Sequence, residues 1–262
     1  MKITSLSQGK VIRTGTAFYT IFNEIDGSVQ IVLITNKHVV SGADQILIRC
    51  HTSKQETHEP SEILIDVTIP LHNTLLEHPD ENIDLCAINI SSIVQQAMSR
   101  ETPIFYAPIT MDIIPEGDNW QYFDAIEDVT MVGCPNGLLD TVNNLPIIRR
   151  GITATSLSKN YEGRKEFMID MACFPGSSGS PVFLYNENGY LNRKTQTYTM
   201  GQSRLNLLGI LYAGPRLTNS GHIILNKGAQ FEVDSMMHLG FVIKSTELKV
   251  LESHALTVWG SN

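Results

Sequence analysis

The sequence predicts an all-β barrel protein finished by a single C-terminal helix. Three observations carry this. Short runs rich in Val, Ile, Thr and aromatics, about a dozen of them, recur along the chain. Gly, Pro and Asn pairs separate them. Helical periodicity is scarce, and nothing alternates strand with helix as a βαβ sheet would. At 262 residues the chain is long for one ordinary domain, but all-β barrels reach this size as single units.

The runs can be taken in order. Val11–Ile21 reads as one strand with Gly15 inside it. "VQIVLITNKHVV" follows, then "ADQILIRC" after a Ser-Gly turn. "SEILIDVTI" and "DLCAINI" complete the first half. Residues 91–100 carry a short helical pattern. The second half supplies "DVTMVGC", "PIIRRGITATS", "EFMIDMA", "SPVFLY", "RLNLLGILYAG" and "FEVDSMMHLGFVIKS". "STELKVLESHAL" is the stronger helix, with Ser245 as N-cap and Glu247 in its first turn. Repeats, low-complexity tracts and linkers are absent from the sequence.

Composition narrows the function classes. Hydrophobic residues make up 42% and charged residues 18%, enough apolar material for a sizeable core and too little charge for a disordered chain. The net charge of -8 argues against a nucleic-acid partner, which needs a basic face. Arg149-Arg150 is an isolated pair. The opening "MKITSLSQGK" lacks the apolar centre of a signal peptide, and no run approaches the roughly 18 apolar residues of a membrane span. Cys50, Cys86, Cys134 and Cys173 are widely spaced with no C-x-x-C pair, so free thiols and a reducing, cytoplasmic setting are expected.

The chemistry points to Cys173–Phe183, "CFPGSSGSPVF". A serine nucleophile needs a base to take its proton and donors for the developing oxyanion. Glycines beside the serine permit the sharp bend that turns backbone N–H groups into such donors. Ser-Gly turns are also common on surfaces, so the stretch by itself decides nothing. A base is available in His38, at the end of the apolar run "LITNKHVV". An orienting carboxylate is available in Asp84, which leads straight into "LCAINI", where an unpaired charge is costly. A structural histidine at a strand end and an aspartate in a turn or helix cap are the bland alternatives.

These residues carry a resemblance. The order His, Asp, Ser, with 46 residues from His38 to Asp84 and 94 from Asp84 to Ser178, is similar to that of the trypsin-like (chymotrypsin-fold) serine proteases. "TNKHVV" resembles the family's Thr-Ala-Ala-His segment, and "IDLCAI" its Asp-Ile-Ala-Leu segment. "GSSGSPVF" resembles its Gly-Asp-Ser-Gly-Gly-Pro segment in the form common among bacterial members. "GTAFYT", "VGCPNG" and "LLGILYAG" resemble an opening strand, a turn of the second barrel and the strand lining the specificity pocket.

The resemblance implies one peptidase domain of two six-stranded antiparallel barrels, about 8–105 and 120–245, with the helix over about 245–256. It implies a serine endopeptidase acting on protein or peptide substrates through His38, Asp84 and Ser178. The N–H groups of Gly176 and Ser178 would form the oxyanion hole. Ser177 and Ser180 are the competing nucleophiles, and Ser180 is expected to hydrogen-bond locally. Ala172 would form the pocket base, and Cys173, Leu211, Tyr212, Ala213 and Gly214 its walls. These positions hold no carboxylate, so an apolar or small P1 residue is expected, with Arg216 the one cation able to favour an acidic group. Val39 stands where many secreted relatives carry a disulfide-forming cysteine, and Ser177 replaces the Asp that animal relatives use in activation. No cofactor or metal is expected. His51, His58, His72 and His78 lie scattered in polar sequence without ligand spacing and read as exposed loop residues. A regulatory partner or attached domain is compatible with the family, and no membrane is.

Two other readings stand beside this one. A catalytically silent binding or scaffold protein on the same fold would carry the same motifs. An α/β-hydrolase-type esterase also uses a Gly-x-Ser-x-Gly elbow, and Asp234 with His238 or His254 would supply its order. That fold needs a helix directly after the serine, whereas "SPVFLY" reads as strand.

Overall fold

Residues 1–23, 29–54, 57, 59–123, 125–223 and 229–260 are described by a computed structural model, and for 216–236 it describes the backbone path alone. The first half contains β1 (Lys2–Ser7), β2 (Lys10–Thr16), β3 (Phe18–Asn23), β4 (Val29–Thr35), the single turn α1 (Lys37–Val40), β5 (Gln45–Ser53), β6 (Pro60–Pro70), β7 (Leu75–Glu77), β8 (Cys86–Asn89) and α2 (Ser91–Ser99). The second half contains β9 (Asp128–Gly133), β10 (Ile147–Thr153), β11 (Glu166–Asp170), β12 (Pro181–Asn186), β13 (Gly189–Asn192), β14 (Thr197–Met200), β15 (Arg204–Ala213), β16 (Arg216–Ile223), β17 (Ala229–Met236), β18 (Leu239–Lys244) and α3 (Thr246–Trp259).

The second half is a closed six-stranded barrel in the order β10-β11-β18-β15-β12-β9. The first half carries two four-stranded sheets, β2-β1-β5-β6 and β3-β4-β8-β7. The expected single strand over Val11–Ile21 is two, because the chain changes partner at Ala17, from β1 on one side to β4 on the other. Thr16 N–H donates to Ser178 O at 2.8 Å, and Ala17 N–H donates to Met1 O at 2.9 Å. "FEVDSMMHLGFVIKS" likewise divides into β17 and β18 around His238, whose φ is 59°. β1, β7 and the β13–β14 hairpin were not expected from the sequence. They are short, three to six residues each, and pairing partners make them strands.

β4 shows why the apolar run is continuous. Side chains alternate across a strand. Leu33 packs in the core of the first half with Ile3, Ile46, Ile48 and Ile88. Val32 and Ile34 face the other way, against Phe18, Leu207, Ile210, Ile243, Leu248 and Leu251. That second cluster joins the two halves and docks α3, so both faces of β4 are covered. Each such fully buried aliphatic contributes about 1.5–3 kcal/mol. Inside the barrel, Val129, Met131, Phe167, Ile169, Val182, Leu184, Leu208 and Val242 form a third core. β12 directly follows the Ser178 loop, so the helix that an α/β-hydrolase elbow requires is not there.

The four cysteines are free and buried. Burial pushes the thiols of Cys50 and Cys173 up to about 11, so they stay protonated and inert at neutral pH. A reducing agent is therefore expected to leave Tm and any activity unchanged. Loss of the roughly 2–5 kcal/mol that a native disulfide supplies would overturn this.

Candidate active site

α1 presents His38. Val39 and Val40 are buried and fix the turn, while His38 remains 44% exposed in its side chain. Asn36, at the N-cap, donates from Nδ2 to Asp84 O at 2.7 Å. Asp84 Oδ1 accepts the His38 N–H at 3.0 Å, and Asp84 Oδ2 lies 2.5 Å from His38 Nδ1. The carboxylate thus grips both backbone and ring of one residue. This pairing assigns the ring proton to Nδ1 and leaves Nε2 with a lone pair.

Ser178 sits between two residues with left-handed backbone, Gly176 at φ 85° and Gly179 at φ 88°. A Cβ at Gly179 would come 1.9 Å from Thr16 O, and one at Gly176 would come 2.8 Å from Cys134 O. The bend therefore requires glycine at both places. The carbonyls of the loop are all engaged on its far side. Gly176 O accepts Thr16 Oγ1 at 2.9 Å, Pro175 O accepts Asn136 N–H at 2.6 Å, and Ser178 O accepts Thr16 N–H. Thr16 Oγ1 in turn accepts the Cys134 N–H at 3.0 Å. Among the described residues, the N–H groups of Gly176 and Ser178 donate to nothing. Two adjacent free donors beside a serine are what an oxyanion needs.

Ser178 Oγ donates to Tyr212 O at 3.2 Å and, among the described residues, makes no hydrogen bond with His38. Tyr212 is itself fixed. Its Oη donates to Glu166 Oε2 at 2.6 Å, Arg164 Nη2 lies 2.8 Å from Glu166 Oε1, and burial raises the phenol pKa. Ser177 and Ser180 are fully buried, which removes both as nucleophiles for an external substrate. Their hydroxyls have no hydrogen-bond partner among the described residues. The expectation of a local bond from Ser180 is thereby corrected: its Oγ packs against Gly133, where a Cβ would come within 1.9 Å of it.

His38 and Ser178 line one cleft of about 280 Å³ with Cys173, Phe174, Pro175, Leu211, Tyr212, Ala213 and Gly214. Ala172, expected from the sequence as the pocket base, is not among the residues lining this cleft. Cys173, 2% exposed, takes the inner position, and Gly240 closes in on it: a Cβ there would meet Cys173 Sγ at 2.6 Å and Leu211 Cδ1 at 2.7 Å. Two basic side chains stand nearby without lining the cleft. Arg149 lies 5.1 Å over the Phe174 ring, and His238 meets the same ring edge-on at 6.2 Å. The side chain of Arg216 lies outside the described residues.

Among the described residues no cluster of His, Cys, Asp and Glu is arranged to hold a metal, and no helix is long and apolar enough to cross a membrane. His72 is exposed as expected. His51 is half-buried, with its ring between Ser61 O at 2.7 Å and Asn143 O at 3.1 Å. His78 is buried, against expectation, because α3 covers it; His58 lies outside the described residues. Sequence reasoning also missed Thr16, Asn36 and Gly240. Thr16 lies within the matched "GTAFYT" segment, but its bonds to residues 134, 176 and 178 have no local signature.

A closed β-barrel, a second β half and a bent Gly-Ser-Ser-Gly loop at their junction define a chymotrypsin-fold serine protease. The sequence matches the trypsin-like peptidase domain over residues 15–191, and the chain belongs to that family. Among solved structures it is similar to a mutant of human heparin binding protein, with 8% identity, 98% of this chain and 91% of that chain covered, and a TM-score of 0.47. It is also similar to the thermostable serine protease AL20 from an extremophilic microorganism, with 13% identity, 98% and 96% covered, and a TM-score of 0.48. No curated protein matches it in sequence.

Proposed function

We propose that the protein is a serine endopeptidase working through an acyl-enzyme. The observation that carries this is the shared cleft of His38 and Ser178, with Asp84 2.5 Å behind the imidazole. Ser178 Oγ rotates from Tyr212 O toward His38, gives its proton to Nε2 and bonds to the substrate carbonyl carbon. The free N–H groups of Gly176 and Ser178 receive the resulting oxyanion. His38 then protonates the leaving amine, the C–N bond breaks, and water repeats the cycle on the ester. Asp84 holds the tautomer throughout. Regulation would act by ordering residues 172–178, through a partner or an attached domain. The free, buried cysteines support a reducing, cytoplasmic setting.

One observation favours a second reading, a silent protease fold used for binding. The Ser178 hydroxyl faces a carbonyl, not the base. A fluorophosphonate probe separates the two. Labelling that Ser178→Ala removes supports the peptidase; a folded protein that stays unlabelled supports the binding module. In a peptide library, apolar or small P1 residues are expected, because Cys173, Leu211 and Ala213 line the cleft and no carboxylate does. A profile dominated by Arg, Lys or Glu at P1 would refute that.

A further inference from the structure

Asp84 is carried by the loop between β7 and β8, and the loop is pinned from behind. Its base is closed by His78 N–H to Leu85 O at 2.9 Å. The His78 side chain is 1% exposed. Its Nδ1 lies 3.1 Å from the Asp80 N–H and 3.4 Å from Asp80 O; acceptance from the N–H, the shorter contact, assigns the ring proton to Nε2. That nitrogen finds no hydrogen-bond partner of good geometry within the described residues and faces Glu247 Oε2 at 3.5 Å. Glu247 stands in the first turn of α3 with its side chain 3% exposed, and Lys165 Nζ donates to the same oxygen at 3.0 Å. On the other side of the loop, Asp80 O accepts Lys37 Nζ at 3.0 Å and Ile83 N–H at 3.1 Å. Lys37 immediately precedes His38. The charged groups facing His78 are thus Glu247 from α3, Lys165 from the approach to β11, Lys37 from α1, and Asp80 from its own loop.

We infer that His78 and Glu247 are positioning residues that hold Asp84 against His38, so that α3 clamps the catalytic carboxylate from outside the barrels. This rests on the proposed role of Asp84. A buried carboxylate beside a buried imidazole is costly unless it does something the fold needs. A hydrophobic pair would dock a helix equally well. What the pair adds is a fixed length and direction across the back of the loop, from a helix that the β3, β4 and β15 side chains already lock. Burial lowers the imidazole pKa, so at neutral pH the ring is neutral, with Nε2 3.5 Å from the carboxylate.

The test uses the full chain with Glu247→Gln, which keeps shape and drops charge, and His78→Leu, with His78→Gln as the conservative partner that restores a donor near Nε2. Two quantities are read: kcat and KM on a peptide ester, and the midpoint of the His38 imidazole titration by NMR. Loosening Asp84 by a fraction of an ångström should lower kcat about tenfold to a hundredfold with KM nearly constant. It should also move the His38 titration away from that of the wild type, because the carboxylate is held less firmly against the ring. His78→Gln should recover part of both. Variants that melt earlier but keep wild-type kcat and the wild-type His38 midpoint would overturn the inference and leave a merely structural pair. If His78→Leu does not fold, Glu247→Gln alone decides by the same midpoint. Wild-type protein that resists the fluorophosphonate probe would count against the peptidase reading instead, and the NMR midpoint still decides the positioning.

Discussion

Ser178→Ala is expected to lower turnover by about 10⁶-fold while leaving the fold intact. The size follows from the roles assigned to the loop. Without Oγ no acyl-enzyme forms, and His38 has no proton to move. What survives is the oxyanion pair and substrate binding, which act on water alone. The fold should survive because Oγ makes a single bond, to Tyr212 O. The loop itself is held by Thr16, Asn136 and Leu211 through backbone contacts that alanine keeps. Hydrolysis assays and a melting curve of the variant check both halves. The reading fails if Ser178→Ala stays active and Ser177→Ala is dead, an outcome that the full burial of Ser177 opposes.

Asp84→Asn should cost about 10⁴-fold in kcat, through the wrong tautomer rather than lost shape. The aspartate accepts twice, from His38 N–H and from Nδ1–H. An asparagine can accept only through Oδ1. With Oδ1 on the backbone N–H, its amide nitrogen faces Nδ1 and donates to it. The ring proton must then sit on Nε2, where the Ser178 proton should go. The loop should stay in place, since Asn36 binds the main-chain carbonyl of residue 84 and not its side chain. Steady-state kinetics at neutral pH are the check. A loss below tenfold would mean that Asp84 does not orient the base.

The parts of the site legible in the sequence were those whose signal is local. His38 ends a strand apolar on both faces, and the bend at Ser178 announces itself through glycines that nothing else can replace. α3 was legible from its first turn, although Ser245 makes no side-chain cap bond and the helix runs three residues further than expected, to Trp259. The illegible parts depend on distant chain. His78 reads as a loop histidine until α3 covers it. Ala172 reads as a pocket base by counting from Ser178, while the packing of Cys173 against Gly240, on another strand, has no local signature. The division of Val11–Ile21 into β2 and β3 is likewise illegible, since it depends on pairing with β1 on one side of Ala17 and with β4 on the other.

Thr16 has a consequence for the order in which the chain acquires its reactivity. Its hydroxyl meets Gly176 across 160 residues of sequence and Cys134 across 118. Contacts of such separation are entropically expensive and form late. His38 and Asp84 lie 46 residues apart, whereas the loop that carries the two N–H donors is tied down through Thr16 by contacts of much larger separation. On the proposed mechanism, a chain in which that contact has not yet formed lacks an ordered oxyanion site, so reactivity waits on the docking of the two halves.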